Sequence, residues 1–215
     1  MNERTIVVKG TGSISVKPDL TIISMTLKTV TPDYKETMEL AAKEVDGLRQ
    51  ALISIGYERE TLKTTDFDIK TEYKSFQNEQ KVWQQEFIGY SCTHSLKLEF
   101  DFDMKRLGET LTAISTCGSE PECHIVFSVK DKTTVSTELL ENAVANATDK
   151  ATILSRAAGV KLGAIQRIDY SWGELRLLSQ TRYSHYQAYR KFEMVDVEPE
   201  DIHENDSVTV VWAIE

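Results

Sequence analysis

The sequence predicts an α+β fold, with an antiparallel or mixed β-sheet, helices packed on one face of it, and a long β-ribbon hairpin. Several stretches alternate apolar and polar residues, which is typical of half-buried strands. Three other stretches repeat apolar residues every three or four positions, as amphipathic helices do. Because several strands follow one another directly, hairpins and an antiparallel or mixed sheet are favoured over a parallel one.

The opening stretch, Ile6 to Leu27, predicts two strands that meet at Pro18-Asp19. Proline followed by aspartate is a frequent turn pair, so we expect it to fold the two strands into the start of one sheet. Gly10-Thr11-Gly12 lies inside the first strand. A phosphate-binding loop would instead follow a strand and open a helix, so these glycines predict close backbone packing.

A helix should begin near Asp33 and end before Gly56, with its apolar stripe on the sheet. The strands Thr64 to Tyr73 and Val82 to Phe100 should then form a hairpin with a long ribbon-like tip. Gly89-Tyr90 should mark the bulge or bend where this ribbon leaves the sheet.

The second half of the chain predicts two further helices and three strands. Asp103 can cap the first of these helices, and the second is rich in alanine, which allows close approach to a neighbour. The predicted elements are a helix from Asp103 to Gly118, a strand from His124 to Lys130, a helix from Thr134 to Ala158, and strands from Leu162 to Tyr170 and from Ser207 to Ile214.

The chain is expected to form a single domain over residues 1–215, with a sub-boundary near 75–89 as the alternative. Residues 172–206 read as an irregular insertion, basic and aromatic at first and then acidic. A connection of this length is uncommon unless it is functional, mobile or a strand-like arm.

Composition limits the classes of function. The chain has 215 residues and a formal net charge of -9, which argues against a general nucleic-acid binder. No apolar run approaches the roughly 18 residues of a membrane helix, so integral membrane association is not expected. The first residues lack the apolar core of a signal peptide. The sequence as written therefore predicts a cytoplasmic protein, and a periplasmic or envelope protein if an export signal has been removed.

The sequence predicts no catalytic, cofactor-binding or metal site. The cysteines Cys92, Cys117 and Cys123 are odd in number and have no CxxC spacing, so we expect reduced, buried thiols. His94 lies on an apolar strand face and should be a hydrogen-bonded core histidine rather than a metal ligand.

Several motifs resemble the SIMPL-domain family. The run VKGTGSISVKPDLTIISMTLKT resembles the start of these proteins, FIGYSCTHSLKLEF their Gly-Tyr strand, AVANATDKATILSRAAGVKLG their alanine-rich helix, and IHENDSVTVVWAIE their final strand. The resemblance implies an α+β fold and no established enzymatic activity. It also implies a bacterial protein of a family whose members are often exported and oligomeric, some as rings or channels. This sequence departs from the pattern in lacking a signal peptide and in having no family motif over residues 172–197.

The strongest candidate for a function is the segment RYSHYQAYRKF, since tyrosine and arginine are enriched at interface hot spots. The alternative, that the segment covers the protein's own core, remains open. The candidate protein-interaction residues are Arg182, Tyr183, Tyr186, Tyr189 and Arg190.

We therefore expect a non-enzymatic SIMPL-like protein that acts by self-assembly, as a homo-oligomer, or by binding another protein, without a cofactor. Pairing would use either the ribbon near Ser75 to Gly89 or the Tyr/Arg segment. The alternative is a small-molecule-binding protein, or an enzyme of unknown reaction, that uses a cleft between sheet and helices.

Overall fold

A computed structural model describes residues 4–78, 80–170, 175–181, 183–184 and 198–215. The helices are α1 (Tyr34–Ser54), α2 (Met104–Thr116) and α3 (Lys132–Ala157). The strands are β1 (Thr5–Val16), β2 (Leu20–Thr31), β3 (Lys63–Gln77), β4 (Trp83–Asp101), β5 (Glu122–Ser128), β6 (Leu162–Tyr170), β7 (Tyr183–Ser184) and β8 (Ile202–Ile214). The α+β prediction is confirmed.

The chain divides into two compact units. One contains the described residues of 1–19, 128–180 and 199–215, and the other those of 20–127 and 181–198. The second unit holds a five-stranded sheet in the order β3-β4-β2-β5-β7, in which β4 pairs antiparallel with both β2 and β3.

Helices α1 and α2 cover one face of the five-stranded sheet. Every second residue of β2 from Ile23 to Leu27 is buried, as its alternation predicts. These side chains pack with the apolar stripes of both helices, in a core whose largest fully buried side chain is Phe127. The hydrophobic pattern thus fixes which face of the sheet the helices occupy.

Each helix begins at an aspartate that satisfies an amide of its first turn. The amide of Glu36 donates to Asp33 Oδ1 at 2.9 Å, and the amide of Arg106 donates to Asp103 Oδ1 at 2.6 Å. Asp131 caps α3 in the same way. The starts of α1 and α2 are therefore placed as the sequence predicts.

The first unit holds a three-stranded sheet in the order β1-β8-β6, with α3 lying across β1 and β8. The helix lies directly against the strand backbone. A Cβ added at Gly10 would lie 2.1 Å from the carbonyl oxygen of Ala143, and one added at Gly12 would lie 2.0 Å from that of Leu139. The expectation that these glycines allow close backbone packing is confirmed.

The prediction that the two opening strands start one sheet is wrong. β1 pairs with β8 and β2 pairs with β4, so they belong to different sheets. Between them, Asp19 bonds to a distant segment, since its amide donates to the Ser128 carbonyl and its carboxylate accepts from the Lys130 amide. Alternation predicts which face of a strand is buried, but it does not identify the neighbouring strand.

The last strand begins earlier than predicted, at Ile202 rather than Ser207. Residues 202–206, assigned to the irregular insertion, pair with the second half of β1, and Asp206 lies opposite Gly12. The polar composition of this stretch suggested a loop. It forms a strand because a partner strand satisfies its backbone, while side chains such as His203 remain exposed.

Candidate functional site

The hairpin of β3 and β4 extends beyond the sheet as a two-stranded ribbon. β2 accompanies β4 only as far as the pair Thr31–Tyr90. Beyond that point, residues 83–89 of β4 pair with residues 72–77 of β3 alone among the described residues. These two segments are called the ribbon below. Its turn is closed by Asn78, whose amide donates to the Val82 carbonyl at 3.0 Å. The predicted ribbon-like tip is confirmed.

The ribbon leaves the sheet at Gly89. This residue has φ of +146° and lies so close to the preceding loop that an added Cβ would be 2.2 Å from the carbonyl oxygen of Thr31. Ile88 is an extra residue in the register, because Glu72 pairs with Gly89 and the next residue of β3 pairs with Phe87. Such a bulge bends the strand, so the sequence prediction for Gly89-Tyr90 is confirmed.

A continuous row of aromatic rings runs along one face of the ribbon and onto α1. Consecutive rings meet edge to face, with centroids 5.7 Å apart for Tyr73 and Phe87, 5.3 Å for Phe87 and Tyr90, and 5.4 Å for Tyr90 and Tyr34. Edge-to-face contacts are favourable because the positive edge of one ring faces the negative face of the next. These four residues form the aromatic row.

The aromatic row is open to solvent. Tyr73 is 51% exposed, Phe87 45% and Tyr34 49%. Trp83, at the end of the ribbon, is 69% exposed. Alternation places it on the same face as Phe87. An exposed apolar patch of this kind is a candidate for interaction with another surface.

A second candidate site is the cleft where β4 meets α2, with a volume of about 600 Å³. Its central side chains already bond to each other and to neighbours. The Arg106 guanidinium lies 3.9 Å from the centre of the Tyr57 ring and donates to the Ile55 carbonyl at 2.6 Å. Burial raises the pKa of Tyr57, whose hydroxyl is 2.8 Å from that of Thr110. The cleft is lined by Tyr57, Thr61, Glu99, Phe100, Asp101, Asp103, Lys105, Arg106 and Glu109.

The predicted Tyr/Arg interaction residues fall largely outside the described part of the chain. Arg182, Tyr186, Tyr189 and Arg190 lie outside it, as does the side chain of Tyr183. The backbone of Tyr183 belongs to the short strand β7, opposite Ile125 of β5. The interaction role of this segment stays a prediction.

None of the three cysteines forms a disulfide. Cys92 is buried, whereas Cys117 and Cys123 are half-buried. Burial raises the pKa of Cys92, and burial together with the neighbouring Cys117 raises that of Cys123 to about 11. A thiolate nucleophile needs the opposite shift. Within the described ranges, no group of three or more His, Cys, Asp or Glu side chains is placed to hold a metal ion.

His94 has the hydrogen bond that its sequence position predicts. Its Nε2 lies 2.9 Å from the Thr64 hydroxyl, and its ring lies edge to face against Phe67 at 5.1 Å. Burial and then the charge of Arg49 lower the pKa of His94, so the neutral ring is favoured. It is half-buried at the margin of the core rather than inside it.

Sequence reasoning found the ribbon but missed the aromatic row. Phe87 and Tyr73 are far apart in sequence, and only the register of β3 against β4 brings them together. A signal was present, since three aromatic residues, Trp83, Phe87 and Tyr90, fall in one predicted strand. Among the described helices, none has the length and apolar character that a membrane crossing requires.

Two named proteins match this chain. The 26 kDa periplasmic immunogenic proteins of Brucella abortus (strain S19) and of Brucella melitensis biotype 1 are each 26% identical to it over 163 residues. The match covers 76% of this chain and 65% of each relative, so the chain spans less than two thirds of their length. The sequence profile of the SIMPL family, described as "protein of unknown function (DUF541)", matches residues 6–212. The chain therefore belongs to the SIMPL family.

Proposed function

We propose that this protein is a non-enzymatic module that acts by self-association through the ribbon. The observation that carries the proposal is the exposed aromatic row on a two-stranded extension of the sheet. Among the described residues, both faces of the ribbon are exposed, so the rings are not buried within their own unit. A second surface can bury them, and a second copy of this chain carries the same apolar face.

The size of the apolar surface supports this proposal. An aromatic side chain buries about 150–250 Å² when fully covered. At about 25 cal/mol per Å², covering the exposed half of one ring contributes on the order of 2 kcal/mol. Trp83, Phe87 and Tyr73 together would then supply about 6 kcal/mol toward association, before the entropic cost of holding two molecules together.

Binding of a small molecule in the β4–α2 cleft is the second candidate. The volume of the cleft supports it, whereas the engagement of Arg106 with Tyr57 and Ile55 argues against it. The two candidate functions predict different effects of substitutions in the ribbon. A cleft that binds a ligand functions equally well when the ribbon carries no aromatic residues.

We infer that the protein works in the periplasm or cell envelope. The support is that both Brucella relatives are named as periplasmic proteins. Fractionation of cells that make the full native protein tests this inference. Recovery with a periplasmic marker is expected, and recovery with a cytosolic enzyme would contradict the inference.

Light scattering at tens of micromolar protein tests self-association. The wild type should have a mass that is a multiple of 24.4 kDa. A Tyr73→Ser/Trp83→Ser/Phe87→Ser variant should fall toward the monomer mass, because it loses the apolar surface and keeps the fold. The matched control is Ile153→Ser, which removes a 55% exposed apolar side chain from α3. A monomeric wild type, or a triple variant with unchanged mass, would overturn the proposal.

A further inference from the structure

We propose that the outer edge of β3 pairs antiparallel with β3 of a second copy, with Thr71 opposite Thr71 at the two-fold axis. This inference rests on the proposed self-association and specifies the pairing that produces it. It is carried by the charge pattern along β3, which complements itself in this register.

β3 is suited to such pairing because its outer edge has no neighbour among the described strands. The strand is 15 residues long, and every residue of β3 from Asp66 to Gln77 has a partner in β4. An uncovered edge of this length presents a row of free backbone donors and acceptors that another strand can satisfy.

Two-fold symmetry sets which side chains meet. In an antiparallel pair with Thr71 on the axis, Asp68 of one copy lies opposite Lys74 of the other, and Lys70 lies opposite Glu72. Each of these pairs occurs twice by symmetry, so every charged residue from Asp68 to Lys74 meets an opposite charge. Opposite charges directly across a strand pair are favourable, and like charges are unfavourable.

Neighbouring registers lack this match. Moving the axis by one residue in either direction places Lys70 or Glu72 opposite its own copy. Moving it by two residues toward the N-terminus brings Asp66 against Glu72. Moving it by two residues toward the C-terminus leaves Glu72 opposite Lys74 as the only charged pair. The pattern therefore selects the axis at Thr71.

The other face of the paired strands also matches in this register. Ile69 of one copy would lie opposite Tyr73 of the other, again twice. An aromatic residue beside a β-branched one is a favourable cross-strand pair. Tyr73 is the outer member of the aromatic row, so the pairing would cover the outer edge of Tyr73.

The charges that would take part are available for exchange of partners. Within one chain, Lys70 contacts Asp68, and Glu72 pairs with Lys28 at 3.0 Å. Side-chain exposure is 71% at Lys70 and 38% at Asp68, and 56% at Lys28 and 30% at Glu72. Exposed ion pairs contribute little to stability, so they can rearrange when a second strand arrives. The charges then act mainly by selecting the register.

Charge reversals at Asp68 and Lys74 test the pairing. Asp68→Lys places lysine against Lys74 twice, and Lys74→Asp places aspartate against Asp68 twice. Each single variant should self-associate at least about tenfold more weakly at low salt, measured as a dissociation constant by sedimentation. The double variant should associate like the wild type, because the two reversed charges face each other across the axis.

Mixing the two single variants gives the sharpest outcome. In a mixed pair, the two lysines of the Asp68→Lys chain face the two aspartates of the Lys74→Asp chain. Equimolar mixing should therefore restore association that neither variant shows alone. The rescue should weaken in about 1 M salt, because salt screens exposed charges.

The matched controls are Glu39→Lys and Lys35→Asp, which make the same changes in net charge on the exposed face of α1. These two residues form an exposed pair at 3.6 Å. Each control should leave the dissociation constant within about twofold of the wild type.

The outcomes separate the two proposals. A wild-type protein that remains at 24.4 kDa overturns self-association and the β3 pairing together. A wild type that assembles, with single variants that assemble equally well or a mixture that shows no rescue, overturns only the β3 pairing. If a single variant loses its folded circular dichroism spectrum, the double variant decides. The pairing predicts that the double variant folds and associates like the wild type, and a double variant that does not is evidence against the pairing.

Discussion

Two regions of the molecule differ in how tightly they are packed: the contact of α3 with β1, and the ribbon of β3 and β4. At the first, glycine and alanine bring a helix onto the strand backbone and leave no space for a side chain. At the second, large aromatic side chains on two strands are about half exposed or more. We expect the small residues to contribute strongly to the free energy of unfolding and the large exposed ones to contribute little. The ribbon is therefore the better candidate for an interaction surface, because exposed side chains contribute little to folding.

Gly12→Val should have the largest effect on stability. Its Cβ would lie 2.0 Å from the Leu139 carbonyl oxygen and 2.8 Å from the Ala143 amide nitrogen. Both are backbone atoms, so the helix must move away. We expect a loss of about 3 kcal/mol in the free energy of unfolding, measured by urea denaturation.

Gly108→Ala is the matched glycine control. Gly108 lies within α2, and an added Cβ there meets nothing within 4 Å. Because alanine has the higher helix propensity, this change should stabilise the protein by about 0.5–1 kcal/mol. Equal losses at the two glycines would mean that close packing is not the cause at Gly12.

The start of α3 should make stability depend on pH. Hydrogen bonds from the Thr134 hydroxyl and amide lower the pKa of Asp131. A depressed native pKa means that the stabilisation is fully present above the unfolded pKa of about 3.9 and is lost as the pH falls through the native pKa.

Asp131→Asn isolates this effect, because asparagine can still cap the helix but does not ionise. Urea denaturation of both proteins between about pH 2 and pH 6 should show the wild type losing more stability on acidification than the variant. Parallel curves would show that Asp131 does not contribute to the acid sensitivity.

Phe87→Ser should have the smallest effect on stability. The side chain is 45% exposed and contacts only rings of the aromatic row among the described aromatic residues. The free energy of unfolding of the separated monomer should change by about 1 kcal/mol or less. A loss comparable with that of Gly12→Val would mean that the row is part of the folding core and not an interaction surface.

Much of the fold follows from local patterns. The predicted limits of β6 are correct, and the apolar spacing of α3 predicts that helix to within two residues at its start. Both rest on short-range chemistry, namely side-chain period and capping. The partner of β1 did not follow from the sequence, because β8 lies almost 200 residues away and only three-dimensional packing selects it.

The position of the ribbon was predictable from the sequence, but the aromatic row on it was not. Gly89 indicated where the ribbon bends, because a residue without a Cβ is required where strand and loop backbones meet. The aromatic row depends on the register of β3 against β4 and on the contact of Tyr90 with Tyr34 of α1. Neither property is encoded in the residues of one strand taken alone.

Hydrogen–deuterium exchange at two protein concentrations, about 1 μM and about 100 μM, tests the central claim most directly. Self-association through the ribbon predicts slower exchange at the higher concentration in a peptide spanning residues 66–77, and unchanged exchange in peptides from α3. Exchange in β3 that is identical at both concentrations, in a sample that light scattering shows to be assembled, would contradict the account.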